Sequence, residues 1–181
     1  LHMALEAPER LSGLILVSTS AEAETGERQS HLKSLALTIR FSGARKWMLK
    51  LAAEAFFSKT FRQKDPARVA EWCRDVRSMK KRALGQALQA VSRRPSVMER
   101  LGTLQIPALV VCGTKDTIAD PAHAKAAAER MPKGNAILIP GAGHALPCEM
   151  PRELAAAIVA FLADQGNSSR TGKQIPARDS F

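Results

Sequence analysis

The stretch "ALVVCGTKDTIADPAHAKAAAERM", residues 108–131, joins an unbroken apolar run to a polar loop and then to a helix start. Ala108 to Gly113 has the length and continuity of a strand buried on both faces. Gly113 permits a tight departure from that strand. Asp120 can accept a hydrogen bond from the unpaired amides of a first helical turn. Pro121 suits the first helical position, where no donor is needed. A strand that leads through a short loop into a helix is the repeating unit of a parallel sheet covered by helices.

The same grammar recurs on either side. "LILVS" (14–18) and "AILIP" (136–140) read as two further strands. The opening "LHMALEAPER" reads as a helix that stops before Pro8, because proline disfavours helical geometry in its predecessor. "PRELAAAIVAFLADQG" reads as a closing helix with Leu154, Ile158, Phe161 and Leu162 on one face and Gly166 near its end. Residues 21–30 are polar and predict a loop. From His31 to Val91 the pattern is helical, with a break expected at Gly43. Beyond it, a clear helix starts at Asp65 and Pro66, and its stripe runs from Val69, Trp72, Cys73 and Val76 to Val91. Core packing is the expected role of that stripe. The fold class is therefore α/β, about three parallel strands flanked by helices. Residues 1–20 and 101–166 form its core, 21–100 a helical insertion, and 167–181 an aperiodic, disordered tail.

Composition narrows the function. A length of 181 residues suits one domain, and 45% hydrophobic residues suit a packed one. Cys73, Cys112 and Cys148 lie far apart with no zinc-ligand spacing, so no metal is expected. Each borders an apolar stretch, which predicts buried free thiols in a reducing, cytoplasmic compartment. No apolar run is long enough to span a bilayer. The net charge of +10 is local: residues 22–100 hold 18 basic against 8 acidic residues, and the rest balances at 9 against 9. Such a segment attracts anions, but aromatics are 4% and there is no tyrosine, which argues against nucleic acid.

The chemistry concentrates at strand ends. Asp116 follows Gly113 by three residues, and His144, in "GAGHALP" (141–147), follows the last strand by four. In a parallel sheet both loops leave the same edge, where such sheets gather ligands. A carboxylate there can fix the tautomer of an imidazole and stabilise the imidazolium formed during proton transfer. Asp120 already supplies the helix cap, which leaves Asp116 without an evident structural duty.

These residues resemble a known family. "LHMALEAPERLSGLILVSTS", "IPALVVCGTKDTIADPAHAKAAAERMP" and "AILIPGAGHALPCEMPRELAAAIVAFL" look like the C-terminal portion of an α/β-hydrolase of the enol-lactonase and esterase branch. The resemblance implies that Asp116 is the acid and His144 the general base of a Ser-His-Asp triad. It makes 21–100 a cap between the family's sixth and seventh strands, with Trp47, Phe56 and Phe57 as candidate walls of the substrate site. It implies a small ester or lactone substrate and no cofactor. The family's nucleophile elbow, G-x-S-x-G, does not occur in the sequence. The chain therefore reads as a fragment or truncated frame whose serine lies upstream of Leu1, inactive alone and prone to self-association through an exposed sheet edge. Ser18, Ser20, Cys112 and Cys148 are poor substitutes, since none sits on such an elbow. The alternative is a non-catalytic binding module whose basic cap holds an anionic ligand or nucleic acid.

Overall fold

The computed structural model describes residues 1–24 and 26–171, the last six of these as backbone only. Its elements run α1 (His2–Glu6), β1 (Leu14–Val17), α2 (Gly26–Ser42), α3 (Lys46–Phe56), α4 (Lys59–Lys64), α5 (Pro66–Ser78) and α6 (Lys81–Arg93). β2 (Ala108–Gly113), α7 (Pro121–Arg130), β3 (Gly134–Ile139), α8 (Leu146–Glu149) and α9 (Pro151–Thr171) follow. The three strands form one parallel sheet in the order β1-β2-β3.

All six residues of the central strand are buried, as its unbroken apolar run requires. Their alternation sorts two cores. Ala108, Val110 and Cys112 pack with Ala4, Met98, Leu101, Leu104 and the alanines of α7. Leu109 and Val111 face the other way, onto Leu146, Leu154, Ile158 and Phe161 of α8 and α9. Helices thus cover both faces, and all strand C-termini point to one edge.

Local chemistry explains most boundaries. Asp65 accepts from the Arg68 amide and Asp120 from the Ala122 amide, each followed by proline. The break between α2 and α3 falls at Gly43, whose φ of +72° costs a non-glycine residue strain.

Other expectations need correction. Helix α2 begins at Gly26, inside the stretch expected to be a loop. Glu27 lies in its first turn, where the helix dipole favours it, and Arg28 pairs with Glu24 at 2.7 Å. The long helix expected from Asp65 to Val91 is two, α5 and α6. α5 packs on α3 and α4 whereas α6 packs on α2, and one straight axis cannot serve both. The α6–α2 approach is close at Gly85, where a Cβ would lie 2.9 Å from the Ala36 carbonyl oxygen. The apolar stripe is only half-buried in α5, and Met79 and Val91 are exposed. Leu162 is likewise exposed, while Leu154, Ile158 and Phe161 keep their core face. Gly166 does not end α9, since one helical glycine costs only about 1 kcal/mol. The expected tail therefore begins as helix to Thr171, and residues 172–181 lie outside the described residues. Of the thiols, only Cys112 is fully buried; Cys73 and Cys148 are half-buried.

Candidate active site

Two loops leave the common strand edge and interlock. The Lys115 amide donates to the Ala142 carbonyl at 2.8 Å, and the Gly141 amide to Thr114 Oγ1 at 2.9 Å. A Cβ on Gly113 would overlap the Ala142 carbonyl, so the glycine is required by space. Gly141 takes φ +79°. A Cβ on Gly143 would fall 2.6 Å from Glu149 Oε1 and 2.7 Å from the Ser58 amide. The glycines that flank His144 are there for one turn and one close approach.

Asp116 and His144 are brought together by this lacing. His144 Nδ1 lies 3.0 Å from Asp116 Oδ2 and 3.2 Å from Oδ1. Nε2 has no hydrogen-bond partner among the described residues. The Asp116 side chain is fully buried and that of His144 is 19% exposed. Asp116 also has a structural duty that its sequence context did not reveal. Its Oδ1 accepts from the amides of Ile118 and Ala119, both at 2.8 Å, and so shapes the loop. Burial pulls the Asp116 carboxyl upward. The hydrogen bond and charge of His144 and the two backbone amides outweigh it, leaving the carboxyl below its ordinary value of 3.8.

The remaining candidates separate. The Phe56 and His144 rings stand perpendicular, with centroids 4.9 Å apart at 88°. Phe57 is 2% exposed, stacked on Phe61 and edge-on to Trp72, so it is packing and not a substrate wall. Trp47 is exposed, in the first turn of α3. β1 stops at Val17, one residue short of the expected end. Ser18 follows it at φ +45°, strained for a non-glycine residue, and its Oγ is buried without a partner among the described residues. The Ser20 hydroxyl accepts from the Glu22 amide. Burial, then the neighbouring Asp116, push the Cys112 thiol up to about 12, which keeps it from acting as a thiolate.

Sequence reading missed the polar clamp behind His144. Glu149 and Ser58 are both buried, and the carboxylate accepts from the Ser58 amide at 3.1 Å and hydroxyl at 2.5 Å. The Ala145 amide donates to the Phe56 carbonyl at 2.8 Å, and Thr117 Oγ1 to the Ala55 carbonyl at 3.3 Å. The corner between α3 and α4 thereby touches both loops. Nothing in the spacing of "FFS" and "CEMP" signals that pairing. Among the described residues, no group of three or more His, Cys, Asp or Glu side chains is placed to hold a metal ion.

A family described as serine aminopeptidase, S33, matches residues 1–151 of the chain. The chain is an α/β-hydrolase. An esterase from Thermogutta terrifontis is 25% identical and superposes with a TM-score of 0.83, covering 90% of this chain and 59% of the esterase. The enol-lactonase of Burkholderia xenovorans is 20% identical with a TM-score of 0.77, over 89% of this chain and 60% of the lactonase. A polyketide synthase, ThaQ, of Burkholderia thailandensis is 36% identical over 73 residues, 40% of this chain and 4% of the synthase. This α/β-hydrolase spans about three fifths of the length of the two solved structures. None of its described helices is long and apolar enough to cross a membrane.

Proposed function

We propose that the chain carries the acid–base half of a serine hydrolase acting on a carboxylic ester or lactone, with the serine supplied from outside these 181 residues. The observation that carries the reading is the His144 Nδ1–Asp116 contact at 3.0 Å, which leaves Nε2 free for a nucleophile. In this scheme the serine oxygen attacks the carbonyl carbon as its proton passes to His144 Nε2. The tetrahedral intermediate then expels the alkoxide, which takes that proton. Water repeats the sequence on the acyl-enzyme, and the proton returns to the serine. Asp116 fixes the Nε2 acceptor tautomer and stabilises the imidazolium. The likeness to an esterase and to an enol-lactonase supports this substrate class.

Residues 1–20 and 101–166 serve as hydrolase core and 21–100 as cap, with Phe56 as a wall of the substrate site beside His144 and Trp47 as a further contact. The three free cysteines fit a reducing cytoplasm.

The test begins with the coding sequence upstream of Leu1, where an open frame bearing G-x-S-x-G is expected. The protein expressed from that frame should hydrolyse p-nitrophenyl acetate, and His144→Ala should lower kcat by at least a thousandfold. The 181 residues alone should not exceed the buffer rate, lacking serine and oxyanion donors together. Activity that survives His144→Ala overturns the assignment.

A further inference from the structure

The helical insertion contains a concavity of about 490 Å³ lined wholly by α3, α4 and α5. That volume suits a small organic ligand. Its floor is apolar, formed by Leu49, Ala53, Val69 and Cys73. Around it stand Lys46 and Lys50 of α3, Arg62 of α4, and Arg74 and Arg77 of α5, against a single acid, Glu54. None of the five cations makes an ion pair among the described residues, and Arg62 Nε is buried with no hydrogen-bond partner.

This is an unfavourable arrangement for an empty surface. Lys46 and Lys50 are one helical turn apart, as are Arg74 and Arg77, and like charges at that spacing destabilise a helix. Facing one another across a groove, the two pairs repel further, and the apolar floor lowers the local dielectric and sharpens the effect. Lys46, Lys50, Arg74 and Arg77 are exposed and Arg62 half-buried, and all five border the same apolar depression. A local conflict of this kind marks function, because a bound anion removes it.

We propose that this groove binds a phosphate monoester carrying a hydrocarbon body. The hydrocarbon lies on the Leu49–Val69 floor. The phosphate takes the place between the helices, where guanidinium forks pair with its oxygens. A dianion is the better counterpart than a carboxylate, because the lining carries five positive charges against one negative. The site is distinct from the His144 edge, since no lining residue comes from the Asp116 or His144 loops.

Titration of the 181-residue chain with monomeric octyl phosphate, followed calorimetrically, tests the assignment. One site per chain is expected, at least tenfold tighter than for inorganic phosphate or octanoate, with no binding of octyltrimethylammonium. Arg62→Ala and Arg77→Glu should each weaken binding at least tenfold, and affinity should fall as salt rises. Arg77 is exposed, so its variant keeps the fold and carries the test if Arg62→Ala unfolds. Equal affinity for inorganic phosphate would remove the apolar floor from the account, and equal affinity for octanoate would remove the dianion. Binding of the cationic amphiphile, or affinity unchanged in both variants, overturns the site altogether.

Discussion

Ser58 and Glu149 lie 91 residues apart in sequence and meet in the interior, hydroxyl to carboxylate, at 2.5 Å. Ser58 is the N-cap of α4, where its oxygen also accepts from the Phe61 amide at 3.2 Å. Glu149 closes α8, five residues after His144. One hydroxyl therefore starts a helix of the insertion and steadies the loop that presents the imidazole.

Ser58→Ala removes one of two donors to a buried carboxylate and one cap, and should cost about 1–3 kcal/mol of unfolding free energy. Glu149→Gln keeps the volume and loses the charge. Urea denaturation of both single variants and of the double variant should give a coupling energy of about 0.5 kcal/mol or more. Strict additivity would show that the two side chains do not support each other.

The Asp116 carboxyl, held below 3.8 in the folded chain, dictates a pH response. A depressed carboxyl stabilises the fold at pH above its unfolded value. It loses that contribution as pH falls through its folded value, so the window lies below about pH 4. Melting temperatures of the wild type should fall more steeply between pH 5 and pH 2.5 than those of Asp116→Asn. The asparagine oxygen can still accept from Ile118 and Ala119, so the loop itself is kept. Parallel curves would refute a role for the ionised carboxylate in stability.

Gly113→Ala is expected to be the most damaging single-methyl change in the two loops. Its Cβ meets backbone, the Ala142 carbonyl, and backbone cannot step aside as a flexible side chain can. A loss of about 3 kcal/mol or more is expected. Gly102→Ala, where the nearest atom to a Cβ is 3.8 Å away, is the control and should be close to neutral. Similar melting temperatures for the two variants would contradict the close approach of the loops.

β1 pairs on one side only, and three of its four residues are half-buried. An apolar strand with free backbone groups pairs with other chains. Light scattering of the 181-residue chain should show a mass that rises with concentration. A monomer of 19.6 kDa at every concentration would speak against this.

The sheet was legible because a buried parallel strand needs an unbroken apolar run, as at Leu14–Val17 and Ala108–Gly113. The third run, expected at 136–140, marks only part of β3, which starts earlier at Gly134 and the exposed Asn135 and ends at Ile139. Asp116 and His144 were legible through their fixed offsets from strand ends. The insertion was harder. The break between Ser78 and Lys81 carries no glycine or proline, and is imposed by packing on two different helices. Phe57 and Phe56 are neighbours of one type, and only the turn at the end of α3 sends one inward and the other to the imidazole. Glu149 was invisible because its partner is in another layer, and a carboxylate near a helix start reads as surface.

The corner from Ala55 to Ser58 carries a mechanical consequence. It holds the acid loop by Thr117 and the histidine loop by Ala145 and Glu149, so lifting the corner loosens both supports together. The two loops are thus held by a segment that belongs to neither the Asp116 nor the His144 loop. Arg62 lies four residues beyond Ser58 on the short helix that this hydroxyl begins. The Arg62 amide donates to the Ser58 carbonyl at 3.0 Å, so a displacement of the short helix at Arg62 bears directly on the residue that holds Glu149.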